Sequence, residues 1–156
     1  MSRTAVSIGE AMIEMSGGED RTYRQGFAGD TLNTAYYLNA LLDADWRVRY
    51  ATAVGDDLYS RQMVEFIGQT GIDTGAIRTI KGKRAGLYMI HQADGDRHFT
   101  YWRDTSAAKL LADDATALEA ALEDAELIYF SGITLAILAP EARERLIAAV
   151  GARRAA

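Results

Sequence analysis

Two short stretches of the 156-residue chain carry residues able to grip a polar small molecule. The first is Gly29-Asp30-Thr31-Leu32-Asn33. Its glycine lets a ligand approach the backbone closely, and a carboxylate, a hydroxyl and an amide open the amphipathic run that follows. Asp30 or Thr31 can cap a helix there; read alone, the stretch is also an ordinary loop and N-cap. The second is a pair of β-type runs, 87–92 and 97–103, joined by Asp94-Gly95, the dipeptide most favoured in tight hairpins. A two-residue turn sets Tyr88 opposite Tyr101 and Ile90 opposite Phe99. Side chains two apart share a face, so Arg103 joins the two tyrosines. Two phenols and a guanidinium make a receptor for a carboxylate, which Arg can bind bidentately while hydroxyls donate alongside. A cross-strand aromatic pair worth about 0.2–1 kcal/mol, with Arg103 solvated, explains the same spacing. On the other face the register places His91 opposite His98, together with Trp102. Two imidazoles fall short of the three or four ligands a metal site needs, so a solvated pair is expected and no metal is assigned.

These stretches need elements to hold them. Residues 4–8 form a short apolar run ending at Gly9, suited to a buried strand. Two alternating segments, 12–15 and 23–27, flank the turn-rich Ser16-Gly17-Gly18-Glu19-Asp20. A helix is predicted over 31–42, and Val48, Tyr50, Thr52 and Val54 alternate as a second core strand. A second helix spans 58–69, with Asp57 as cap and Gly71 as left-handed terminator. Residues 113–124 read as helix, 127–130 as a strand ending at Ser131-Gly132, and Pro140 opens a last helix with Ala142, Leu146, Ile147 and Val150 on one side. Alternating strands and helices imply a parallel sheet with helices on its faces. The extra strands at 12–27 and 86–104 break that alternation and predict a small separate β layer. In open α/β sheets ligands bind beyond the carboxyl ends of the strands, which is where Gly9-Glu10, Gly55-Asp56 and Ser131-Gly132 fall.

Composition narrows the function. Asp and Glu outnumber Lys and Arg 22 to 17, giving a formal charge of −5, and no basic run exceeds Arg153-Arg154. The electrostatic footprint of a nucleic-acid binder is missing. The chain has no cysteine, which excludes disulfides and thiolate metal sites and fits a reducing cytoplasm. Met1-Ser2-Arg3 leads straight into a strand, so no signal peptide is expected, and no apolar stretch approaches the roughly 20 residues that span a bilayer. The P-loop, the Gly-x-Gly-x-x-Gly dinucleotide turn and the Gly-x-Ser-x-Gly elbow are all lacking.

Several segments occur in a telling order: Ile8-Gly9-Glu10-Ala11-Met12-Ile13-Glu14, Gly29 to Ala35, Ala53-Val54-Gly55-Asp56-Asp57, Gly71-Ile72-Asp73-Thr74, Gly86-Leu87-Tyr88, Tyr101-Trp102-Arg103 and Ser131-Gly132-Ile133. Together they resemble the PfkB (ribokinase-like) family of sugar kinases, and within it the 2-keto-3-deoxygluconate kinases. The resemblance runs over the whole chain but over only about the first half of a family member. It implies a ribokinase-like α/β domain with a β-sheet lid over the sugar, truncated before the nucleotide-binding half, and leaves open a fragment or a truncated gene product. It implies that Gly29, Asp30, Thr31, Leu32 and Asn33 cradle substrate hydroxyls, and that Tyr88 and the run Tyr101, Trp102, Arg103 touch substrate. Trp102, on the outward face, suits a subunit contact through the lid or packing within it. ATP and magnesium are implied as cofactors. The family's Gly-Ala-Gly-Asp loop, which carries the catalytic base, does not occur here, so no catalytic residue is expected in this chain. The activity implied is phosphorylation of a sugar acid, with two alternatives: a kinase of a neutral sugar such as fructose or ribose, or a non-catalytic sugar-acid-binding or dimerising domain.

Overall fold

The computed structural model describes residues 3–17, 22–93 and 95–154. Four strands form a parallel sheet: β1 (Arg3–Ile8), β4 (Trp46–Gly55), β5 (Ile77–Ile80) and β8 (Ala125–Phe130), in the order β5-β4-β1-β8. Four others form a second sheet: β2 (Met12–Gly17), β3 (Tyr23–Ala28), β6 (Gly86–Ala93) and β7 (Asp96–Trp102), in the order β3-β2-β6-β7. This is the expected α/β architecture with its separate β layer. The helices are α1 (Asp30–Leu41), α2 (Leu58–Gln69), α3 (Ala115–Leu122), α4 (Gly132–Ile137) and α5 (Pro140–Arg154).

The parallel sheet is buried on both faces, as crossover helices demand. Ala5, Val48, Tyr50 and Val54 face Leu32, Ala35, Met63 and Ile67 of α1 and α2. Val6, Ile8, Ala51 and Ala53 face Leu118, Leu122, Leu138 and Leu146 on the side of α3 and α5. A fully buried Leu or Ile contributes about 1.5–3 kcal/mol, and Ile8, Ile67, Leu122 and Leu146 are all at 0% exposure. The predicted alternation in β4 was therefore only half of its burial.

Most boundaries match expectation. The helix at 58–69 is capped by Asp57, which accepts from the N–H groups of Tyr59 and Ser60 at 2.9 and 3.2 Å, and Gly71 takes φ +86. Three elements were not foreseen: β5, the 3-10 turn Ala107–Leu110, and α4. Strand β5 has four residues, including Arg78 and Thr79, and is defined by its pairing with β4. Helix α4 exists because Ser131 and Thr134 form a reciprocal capping box, so Ser131-Gly132 starts a helix rather than leaving a loop in the crevice. On α5, Ala142 and Leu146 are buried, but Ile147 is 51% exposed and lies off the face predicted for it. The hairpin follows the two-residue register, Ala93 pairing with Asp96, and Gly95 has φ +83. Asp94 itself, Gly18-Glu19-Asp20 of the other turn, Met1-Ser2 and Ala155-Ala156 lie outside the described residues.

Candidate substrate site at the carboxyl end of the parallel sheet

Strands β1, β4 and β8 run parallel, so Ile8, Gly55 and Phe130 end on the same side. From there the chain passes through Gly9-Glu10-Ala11 into the second sheet. It returns through β3 to Gly29, the N-cap of α1. Gly29 is required by closeness rather than by dihedral angle: a Cβ on it would lie 2.3 Å from the Glu10 carbonyl oxygen. Its own carbonyl accepts the Asn33 N–H at 2.8 Å. Asp30 stays exposed, and its carboxylate accepts the Thr31 N–H at 2.8 Å.

The next residues diverge. Thr31 is fully buried; its hydroxyl meets the Tyr50 hydroxyl at 3.0 Å and its carbonyl accepts from Ser7 at 2.8 Å. Burial pushes the Tyr50 phenol well above its ordinary range, so that pair stays protonated and structural. Leu32 is 4% exposed and belongs to the core. Asn33 is exposed and lines a cavity of about 140 Å³ with Phe27, Tyr36 and Phe66 between α1 and α2. Within this stretch, Gly29 and Asp30 lie against the strand ends, Thr31 and Leu32 offer only backbone, and Asn33 looks into a different hollow.

The hairpin brings its three residues together. Tyr88 pairs with Tyr101, their ring centroids 5.8 Å apart, and the Arg103 guanidinium lies 5.8 Å from the Tyr101 ring. Trp102 pairs with Leu87 on the opposite face and is 56% exposed. His91 and His98 pair as the register requires, and among the described residues no three His, Asp or Glu side chains gather as a metal site would need.

Two carboxylates complete the group. Glu10, 3% exposed, forms an ion pair with Arg103. Glu14 sits beside Tyr88 in the parallel β2–β6 register and accepts its phenol proton. Burial and the Glu14 carboxylate both push the Tyr88 phenol upward. These pairs revise the receptor drawn from spacing. Arg103 is paired with Glu10 rather than free, and the Tyr88 hydroxyl already donates its hydrogen bond to Glu14, so Tyr88 can only accept from a ligand. The donors left are the Tyr101 hydroxyl, which has no hydrogen-bond partner among the described residues, and the Arg103 N–H groups that Glu10 does not use. Sequence reasoning placed Glu10 at a strand end without a partner and passed over Glu14. A carboxylate between apolar Ile13 and Met15 was the available signal, but the parallel pairing that brings it to Tyr88 is not legible locally.

A larger hollow lies elsewhere, about 440 Å³ between α3 and α5, lined by Leu118, Leu122 and Ala149 among others. Its arginines are engaged, Arg145 with the Ala112 carbonyl and Arg153 with that of Glu123, both at 2.6 Å. Size alone makes it a groove. Charged groups converge instead at the strand ends, which makes that region the candidate site.

Residues 2–156 match the pfkB family carbohydrate kinases. The chain belongs to this family. The chain is 42% identical over 152 residues to the 2-dehydro-3-deoxygluconokinase of Dickeya dadantii, covering 95% of this chain and 49% of that protein. It is 39% identical over 151 residues to the protein of the same name from Escherichia coli K12, covering 94% of this chain and 48% of the relative. Among solved structures, a PfkB family carbohydrate kinase from Listeria grayi superposes with a TM-score of 0.84 at 22% identity, covering 97% of this chain and 48% of that one. This PfkB chain thus spans about half the length of the relatives it matches. Plant proteins named as fructokinases are more distant, at 26–27% identity.

Proposed function

We propose that this chain is the substrate-binding half of an ATP-dependent sugar-acid kinase, acting on 2-keto-3-deoxygluconate (also called 2-dehydro-3-deoxygluconate) to give its 6-phosphate. The observation that carries the reading is Arg103, fixed at the strand ends with unused donors beside Tyr101. Gly29, Asp30, Thr31, Leu32, Asn33, Tyr88, Tyr101, Trp102 and Arg103 stand as the proposed substrate residues. Thr31 and Leu32 act through backbone alone, and Trp102 is the weakest member because it lies on the far face of the hairpin.

Phosphoryl transfer needs an acceptor hydroxyl in line with the γ-phosphate, a base for its proton, and positive charge around the phosphates. This half supplies orientation. Arg103 and Tyr101 fix the acid end of the sugar, while Asp30, Glu14 and the Tyr88 oxygen accept from hydroxyls, each charged bond worth about 1.5–3 kcal/mol. The base, ATP and the magnesium that accompanies ATP belong to residues outside this chain, so the isolated 156-residue polypeptide transfers no phosphoryl group. No step here runs through a metal. Contacts through the second sheet with another copy, and a cytoplasmic location, belong to the same reading. No helix among the described residues is long and apolar enough to cross a membrane.

A kinase of a neutral sugar is the alternative. A coupled assay of ADP release by the intact protein, with 2-keto-3-deoxygluconate, fructose and ribose as acceptors, separates the two. The sugar acid should give the highest kcat/KM by at least about tenfold, the discrimination that roughly 1.4 kcal/mol provides. A preference for fructose or ribose would overturn the assignment.

A further inference from the structure

Glu10 holds more than its place at a strand end. Its side chain is almost wholly buried, yet only one of its oxygens, Oε2, is engaged, by Arg103. The other, Oε1, is buried without a hydrogen-bond partner among the described residues. A buried carboxylate oxygen left unpaired is costly. The surroundings are shaped to keep it there. A Cβ on Gly86 would fall 2.7 Å from Oε1 and 3.1 Å from the Arg103 Cβ, and one on Gly29 would fall 2.3 Å from the Glu10 carbonyl. Two glycines from separate segments therefore close around one residue, the first beginning β6 and the second capping α1.

We infer that Glu10 is a positioning and specificity-determining residue that acts through Arg103. Held by a single N–H, the guanidinium keeps its remaining donors turned away from Glu10 and ready for a ligand. The pair also has no net charge, so a small anion gains little from approaching it. A planar carboxylate that satisfies several Arg103 donors at once gains through directed hydrogen bonds. By cancelling the net charge, Glu10 weakens the hold on a free inorganic anion such as phosphate, which can also bind Arg bidentately, while a sugar acid anchored through its hydroxyls as well still reaches Arg103. This rests on the sugar-acid reading above and goes beyond it by naming what aims the arginine.

The test uses the intact protein and the variants Glu10→Gln, Glu10→Ala and Gly86→Ala. Two readouts are needed. One is ¹⁵N NMR of the Arg103 side chain, which reports restricted guanidinium rotation without any ligand. The other is calorimetric titration with 2-keto-3-deoxygluconate, fructose and inorganic phosphate. Restricted rotation should be present in the parent, retained in Glu10→Gln, whose amide oxygen still accepts, and lost in Glu10→Ala and Gly86→Ala. Sugar-acid affinity should fall about tenfold or more in Glu10→Ala, as for loss of one charge-assisted bond, and recover in Glu10→Gln. Phosphate should compete better with Glu10→Gln than with the parent, because the arginine charge is no longer balanced. An Arg103 signal indifferent to Glu10→Ala, or phosphate competition unchanged in Glu10→Gln, overturns the inference. A parent that binds no sugar acid while Arg103 still responds to Glu10→Ala and phosphate to Glu10→Gln overturns the sugar-acid assignment and leaves the positioning role standing.

Discussion

The two ends of the parallel sheet treat charge differently. At the amino end, Asp124 accepts from Arg47 at 2.5 Å, from Arg49 at 2.7 Å and from the Thr4 hydroxyl at 3.0 Å. Asp73 accepts from Arg49 at 3.0 Å. Arg3 pairs with Glu126 at 3.1 Å and lies 3.9 Å over the Trp46 ring. At the carboxyl end, Glu10 keeps an unpaired oxygen, and the two other buried orphans among the described residues, the hydroxyls of Thr52 and Ser106, also lie in that half. A network with every group satisfied clamps strands together. Where buried polar atoms lack partners within the protein, an ordered water or a ligand is what can satisfy them. The first end is scaffold, and the second is where the proposed site lies.

That contrast predicts opposite consequences of mutation. The largest effect on stability should come from Arg49→Ala. Its side chain is 12% exposed and bridges Asp73, Asp124 and the Ala121 carbonyl, so removal should cost about 2–3 kcal/mol, less than for a fully buried ion pair because both carboxylate partners are part-exposed. Urea unfolding measures this, and sugar-acid affinity per folded molecule should stay unchanged. Gly29→Ala sharpens the comparison from the other end. Its Cβ would meet the Glu10 carbonyl, and the overpacking should cost about 1–3 kcal/mol. Affinity should fall with it, because Glu10 and α1 must move apart; calorimetry on the folded fraction is the check.

How much of this was legible follows from range. The helix at 58–69 announced itself through local chemistry, the Asp57 cap and Gly71, and the hairpin register followed from a dipeptide and a period of two. Strand β5 and the Glu14–Tyr88 contact did not, because both depend on parallel pairing between segments far apart in sequence. The inward turn of Thr31 was hidden for a related reason. Its small polar side chain matches a helix cap as well as it matches a buried partner for Tyr50, and only the packing of α1 on the sheet decides between them.

A smaller effect concerns pH. Hydrogen bonding from Arg49, opposed by partial burial and helped by Thr4, holds the Asp124 carboxyl down to about 2. A depressed folded-state value means stability that is fully present above the unfolded value, about 3.9, and lost as pH falls through the folded one. Asp124 is 46% exposed, so solvent screening reduces this to about 1 kcal/mol. Unfolding free energy should drop between pH 4 and 2, and Asp124→Asn should flatten that slope. Smallest of all, Trp102→Ala should change monomer stability by no more than about 0.5 kcal/mol, its ring being more than half exposed. If the proposed contact between copies through the second sheet forms, a larger consequence should appear as a shift in sedimentation.

The central claim is that Arg103 reads a carboxylate. Its most direct test is calorimetric titration of the intact protein and of Arg103→Ala with 2-keto-3-deoxygluconate and with fructose. The sugar acid should lose about 10- to 100-fold in affinity, the worth of a charge-assisted contact, while fructose binding changes by less than about threefold, within roughly 0.6 kcal/mol. Equal loss for both ligands would mean that Arg103 only props the hairpin, and the substrate would no longer be a sugar acid on this account.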